Sequence, residues 1–136
     1  MISGRFVIDA NVVISAFLFP VSKPGRSLKK AISEGKAVSS LETLEELRAK
    51  LLSEKFDEYA PYAVRSLFIF QFEKTSELTE VKEKVKVCRD PKDDKYLSLA
   101  KAAKADAIIT GDRDLLALNP FDSIAIITPD KFLKQY

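Results

Sequence analysis

Three short apolar runs stand out along the chain: Phe6-Val7-Ile8, Ala107-Ile108-Ile109 and Ile124-Ala125-Ile126-Ile127. Each is brief and rich in β-branched side chains, and each leads at once into residues that turn a chain or cap a helix. Each therefore predicts a buried strand. Because every position in a run is apolar, rather than every second one, both faces of the strand must be covered. That is the pattern of a parallel sheet lying between helices. Ala37-Val38-Ser39 is a weaker candidate of the same kind. Between the runs the period changes. Leu44, Leu47, Leu51 and Leu52 recur at i, i+3, i+7 and i+8, which predicts an amphipathic helix over roughly 42–53. Val64, Leu67, Phe68 and Phe72 form a similar stripe from Pro61 to about Glu73, with Pro61 suited to a first turn. Tyr96, Leu99, Ala100 and Ala103 share one face of a helix over 93–103, with Asp93 as its N-cap and Pro91 just outside. Thr128-Pro129-Asp130 reads as the cap and first turn of a short C-terminal helix. The stretch Leu78 to Val87 alternates like a strand, yet its lysines and glutamates equally suit a helix or an exposed edge. Strands alternating with helices predict an α/β domain with a parallel sheet, and residues 1–136 fit one domain.

Composition narrows the chemistry. The chain has 136 residues and no histidine, so a Ser-His-Asp triad, a histidine base and His-ligated zinc are all excluded. A single cysteine, Cys88, excludes an internal disulfide framework and a Cys-based zinc cluster. Met1-Ile2-Ser3-Gly4-Arg5 lacks the pattern of a targeting segment. The run Val12 to Phe19 is broken by Ser15 and is far shorter than the roughly 20 residues that span a bilayer. The expectation is a cytoplasmic protein that touches no membrane. The net charge of +2 is unremarkable, but its distribution is not.

Acids gather where the strands end. Phe6-Val7-Ile8 runs into Asp9, and Ile108-Ile109-Thr110 runs through Gly111 into Asp112. Ligands of open parallel sheets bind beyond the carboxyl ends of the strands. Asp94, in the first turn of the 93–103 helix, can reach the same edge. Any one of these aspartates could simply cap a helix. Capping does not, however, explain why Asp90, Asp93, Asp94, Asp112 and Asp114 crowd around one strand, because like charges repel unless a cation offsets them. With no histidine and no cysteine pair, the matching cation is hard and oxygen-seeking, namely Mg²⁺ or Mn²⁺. One or two such ions beside a sheet edge suit phosphate chemistry, activating a water and stabilising a leaving oxygen. Arg26, Lys29, Lys30, Lys82, Lys84 and Lys86 could then meet a phosphate backbone, although solvated lysines are the plainer reading of each.

Four segments together resemble the PIN (PilT N-terminus) domain nucleases. They are Phe6-Val7-Ile8-Asp9-Ala10-Asn11-Val12, Glu45-Glu46-Leu47-Arg48, Asp90-Pro91-Lys92-Asp93-Asp94-Lys95-Tyr96-Leu97, and Ala105 through Leu116 with its Thr110-Gly111-Asp112-Arg113-Asp114 core. They occur in the family's order, span nearly the whole chain, and look most like the prokaryotic toxin branch of toxin–antitoxin pairs. The resemblance implies a three-layer α/β/α sandwich around a parallel sheet of about four to five strands. It also implies a Mg²⁺- or Mn²⁺-dependent endoribonuclease that cuts single-stranded RNA by attack of a metal-activated water. Such a protein would be a homodimer and would be restrained by a cognate antitoxin. Carried over residue by residue, the acidic quartet is Asp9, Glu46, Asp94 and Asp112, serving both catalysis and metal binding. Asp114 would be an auxiliary acid, Asn11 and Ser15 would hydrogen-bond behind the carboxylates, and Thr110 would orient Asp112 or a phosphate. Independently of the resemblance, Arg26, Lys29 and Lys30 are the basic residues expected at RNA.

Chemistry alone separates neither Asp93 from Asp94 nor Glu46 from Glu42 and Glu45. Asp93 is assigned as the cap and Asp94 as the ligand because Asp94 precedes Leu97 by one turn, as in the motif. The helix carrying Tyr62, Phe68, Phe70 and Phe72 suits a dimer face and ordinary core equally well. Two other readings compete. One is a PIN-like scaffold that binds RNA without cutting it. The other is a Mg²⁺-binding phosphoacceptor domain, disfavoured because no lysine follows the late strand until Lys131.

Overall fold

A computed structural model describes residues 4–136. The reading of Met1–Ser3 lies outside the described residues. Five strands form one parallel sheet: β1 (Arg5–Ile8), β2 (Lys36–Ser39), β3 (Glu77–Leu78), β4 (Ala107–Ile109) and β5 (Ala125–Ile127), in the spatial order β3-β2-β1-β4-β5. Every neighbouring pair runs parallel, with Val7 between Val38 and Ile108 at the centre. β1 is thus flanked by β2 and β4, and the chain departs from it in both directions. A crevice opens at such a reversal of strand order, above the carboxyl ends of β1 and β4.

The alternation of side chains builds two cores. Phe6, Ile8, Ala107, Ile109 and Ile127 point to one face, where they meet Val13, Leu28, Leu47, Phe72 and Phe132. Those partners come from α1 (Ala10–Leu18), α2 (Lys23–Glu34), α3 (Leu41–Leu51), α4 (Tyr62–Thr75) and α7 (Pro129–Gln135). Val7, Val38, Ile108 and Ile126 point to the other face. There they are covered by α5 (Asp94–Ala103), by Leu115 of α6 (Arg113–Leu116), and by Val81 and Val85 from the connection that follows β3. The result is the expected three-layer α/β/α sandwich, and its continuous apolar strands are buried on both sides.

The ambiguous stretch Leu78–Val87 is neither a helix nor a full strand. β3 ends at Leu78, and the following residues cross the second core as an extended strap. The strap is tied down from α5: Val85 N–H donates to Ser98 Oγ (2.9 Å), and Val87 and Cys88 N–H donate to Asp94 Oδ1 (3.0 and 2.7 Å). A buried arginine that periodicity does not flag clamps another loop. Arg65 of α4 is wholly buried and donates to the carbonyls of Leu51, Ser53 and Ala60, and it pairs with Asp57.

The aromatic residues of α4 divide. Phe72 is buried and Phe68 packs on Phe17, whereas Tyr62, Leu67 and Phe70 are exposed. No described helix is long and apolar enough to cross a membrane.

Candidate active site

The ends of four strands are built alike. Asp9 after β1, Ser40 after β2, Asp112 beyond β4 and Thr128 after β5 each cap the helix that follows with a side-chain oxygen. Such caps satisfy N–H groups that the first helical turn leaves without partners. The two aspartates therefore cap and also face the crevice. Asp9 is only 4% exposed. Its Oδ1 accepts from Asn11 N–H (3.1 Å) and its Oδ2 accepts from Thr110 Oγ1 (2.7 Å). Burial raises the Asp9 pKa above the usual carboxylate value, and the Thr110 and Asn11 hydrogen bonds only partly oppose this. Thr110 is fully buried. It couples two acids, donating to the Asp9 carboxylate while accepting from Asp112 N–H (3.0 Å).

A cavity of about 420 Å³ lies over this edge, walled by Asp9, Asp112, Asp93, Asp90 and Glu46 together with Asn11, Lys50, Lys92 and Lys95. The structure thus brings Asp9, Glu46 and Asp112 together. It selects Glu46 from the three glutamates of its helix: Glu45 is exposed elsewhere, and Glu42 pairs with Lys84. Glu46 accepts from Tyr96 Oη (2.7 Å), Lys95 Nζ (3.0 Å) and Lys50 Nζ (2.6 Å). Burial by itself would raise its pKa, but the bonds from Lys50, Tyr96 and Lys95 outweigh that and hold the carboxyl below its ordinary value. Tyr96 is itself buried, and its phenol oxygen also accepts from Ala10 N–H (3.1 Å). It is a strut between the start of α1, beside Asp9, and Glu46. Sequence reasoning placed Tyr96 among core residues; a hydroxyl on an otherwise apolar helix face was the available signal.

Asp93 stands at the N-cap position of α5 and Asp94 in its first turn, as expected, but their side chains have different surroundings. Asp94 points away from the cavity and binds the backbone of the strap, which lowers its pKa. Asp93 makes no capping bond and lines the cavity instead. A 3₁₀ turn, Pro91–Asp93, leads directly into α5, so the two residues sit at the junction of the two helical segments. Partial burial, followed by repulsion from Asp112, Asp90, Asp9 and Glu46, pushes the Asp93 carboxyl up to about 6.

Other expected residues are less central. Asn11 lines the cavity and meets Lys50 through Oδ1 at 3.5 Å. Ser15 lines neighbouring surface, and Asp114 contributes only its N–H, which donates to Asp112 Oδ1 (2.8 Å). Arg26, Lys29 and Lys30 lie on α2, outside this cavity, and Lys30 bonds the carbonyl of Tyr136. α2 itself packs against α1 and α7.

The family model for the PIN domain matches residues 5–114. The chain belongs to the PIN domain family. An uncharacterized protein of Methanocaldococcus jannaschii, MJ1680, is 34% identical over 143 residues, covering 97% of this chain and 91% of the relative. Among solved structures, VapBC2 from Rickettsia felis, bound to a DNA fragment from its promoter, superposes with a TM-score of 0.63 at 11% identity. That match covers 91% of this chain and 98% of the other. PAE2754 from Pyrobaculum aerophilum gives 0.63 at 17% identity, covering 96% and 88%. PIN domains are in general nucleases that use divalent metal ions.

The donors present suit such an ion. They are all oxygens, they crowd one cavity, and their mutual repulsion is written into the raised Asp93. Among the described residues no three carboxylates already form a closed cage. A cation would have to draw them inward, and Lys50 and Lys95 hold part of the negative charge meanwhile.

Proposed function

We propose that this PIN domain is a Mg²⁺- or Mn²⁺-dependent endoribonuclease for single-stranded RNA, and the toxin of a toxin–antitoxin pair. Asp9, Asp93 and Asp112 would present oxygens to the metal, with Glu46 as the fourth acid. The observation that carries the reading is the crowding of Asp93 with Asp9, Asp112 and Glu46 in a cavity above β1 and β4. The toxin assignment leans on the fold shared with the VapBC2 structure. The exposed Tyr62, Leu67 and Phe70 of α4 support a homodimer face.

The chemistry supplied when the metal is bound is an acidified water and neutralised charge on phosphate oxygens. The protein's part is arrangement. Thr110 and Asn11 fix both oxygens of Asp9, so its orientation is set before substrate arrives. Asp112 is held by the first turn of α6 and cannot swing freely. Tyr96 holds Glu46 at a fixed height over Asp9, with its phenol kept protonated by burial and by the charges of Asp9 and Glu46. Lys50 and Lys95 offset the negative charge that would otherwise repel a phosphate.

The test is cleavage of a defined single-stranded RNA with Mn²⁺ and with chelator. Cleavage should need the ion and should be lost in Asp93→Asn but retained in Asp94→Asn. Cleavage that survives chelator, or that depends on Asp94 and not on Asp93, refutes the assignment.

A further inference from the structure

The acidic cavity has neighbours on both flanks. Lys95 is also a wall of a second cavity of about 380 Å³, enclosed by the first turns of α3 and α5 and by the strap. On the opposite flank, Lys50 and Asn11 are also walls of a third cavity of about 480 Å³, enclosed by α1 and the turn Glu54–Phe56. The three cavities therefore lie in series, with a lysine at each junction. Each outer cavity combines lysines with apolar walls: Lys84 and Lys86 with Val81 and Val85 on one flank, Lys55 with Ile14, Leu18 and Phe56 on the other.

We propose that the three cavities are one path for a single RNA strand, seating a nucleotide in each outer cavity and the scissile phosphate over the carboxylates between them. The inference rests on the proposed ribonuclease activity and adds to it the route of the substrate. A polyanion laid over five acids needs cations close by, and the junction lysines stand where the adjoining phosphates pass. Apolar walls receive bases and lysines receive phosphates, which is the usual division of labour in single-strand binding. Both volumes fall in the range of small-ligand pockets. A duplex keeps its bases paired and stacked, so they could enter neither cavity.

The second cavity also has acids, but they are occupied. Asp94 binds two backbone N–H groups, and Glu42 faces Lys84 at 3.4 Å. That ion pair is well exposed and readily exchanged for a phosphate. The three backbone ties of the strap hold the Lys84 and Lys86 rim in place.

The path predicts which lysines matter. Binding of a fluorescein-labelled 12-nucleotide RNA of mixed sequence, in EDTA to block cleavage, would be followed by anisotropy from 20 to 200 mM salt. Lys55→Gln and the double variant Lys84→Gln/Lys86→Gln should each weaken binding about three- to tenfold. Each should also flatten the slope of log affinity against log salt by about 0.7 for every phosphate that is no longer neutralised. Arg26→Gln/Lys29→Gln on α2 should leave affinity and slope unchanged. With Mn²⁺, trimming the RNA from one end should abolish the effect of Lys55→Gln alone, and trimming from the other end that of the double variant alone. Path variants with unchanged slopes, or a loss carried by the α2 variant, overturn the route while leaving the nuclease reading intact. A wild-type protein that neither binds nor cuts single-stranded RNA overturns the nuclease reading itself.

Discussion

Asp93→Asn should make the metal-free protein more stable while destroying the activity proposed for it. In the folded chain the Asp93 carboxyl is pushed from 3.8 up to about 6, first by partial burial and then by Asp112, Asp90, Asp9 and Glu46. Between those two values the folded state holds a proton that the unfolded chain has released. Folding is therefore favoured at the acid end of the window, and stability falls as pH rises through it. Above about pH 6 the full penalty is present. The displacement corresponds to at most about 3 kcal/mol, but Asp93 is only partly buried, and screening by the solvent that still reaches it reduces this to about 1 kcal/mol. In a chain of this length that is a rise in melting temperature of about 4 °C. Asparagine keeps the shape and removes the charge, and no capping hydrogen bond of the Asp93 side chain is given up with it. Thermal melts of wild type and variant in chelator should differ by about 4 °C at pH 7.5 and coincide near pH 4. Adding Mn²⁺ at pH 7.5 should raise the wild-type melting temperature more than that of the variant. An advantage that is equal at both pH values, or a variant less stable throughout, would refute the crowding argument.

Asp9→Asn and Asp112→Asn should abolish RNA cleavage while leaving the far-ultraviolet circular dichroism unchanged, since asparagine still caps both helices. Asp94→Ala should behave oppositely. It should lower the melting temperature through loss of two bonds to the strap, about 1–2 kcal/mol, and leave cleavage measurable. Tyr96→Phe removes one hydroxyl from between Ala10 N–H and Glu46. Calorimetry should show Mn²⁺ affinity lowered by about three- to tenfold at a stability cost of about 1–2 kcal/mol, and unchanged affinity would reduce Tyr96 to packing. Gly25→Ala tests the fold, because a Cβ there would lie 2.2 Å from the Pro20 carbonyl oxygen. Chemical denaturation should show a loss of about 2 kcal/mol or more.

The parts of the molecule legible in its sequence are those where one local signal dominates. Continuous apolar runs fixed β1, β4 and β5 to within a residue, and the acids that follow two of them reached the crevice because a parallel sheet brings strand ends to one edge. β3 was hidden because two residues carry no period. Glu46 could not be chosen by pattern, since its helix exposes several glutamates, and the partners that mark it beyond Lys50 of its own helix are distant in sequence: Tyr96 lies 50 residues away. Asp93 and Asp94 could not be separated by charge or spacing, because what distinguishes them is tertiary: Asp94 accepts from the backbone N–H groups of Val87 and Cys88, whereas Asp93 lines the cavity with Asp9 and Glu46. A basic balance of charge, which brought in Arg26, Lys29 and Lys30, says nothing about which face of the molecule a helix occupies.

Glu46 carries its own replaceable counter-ions. With Lys50 and Lys95 paired to it, this carboxylate is already neutralised inside the folded chain. If the proposed nuclease is right, metal supply would govern cutting without governing folding, and chelation would be a reversible safety catch in the hands of an experimenter.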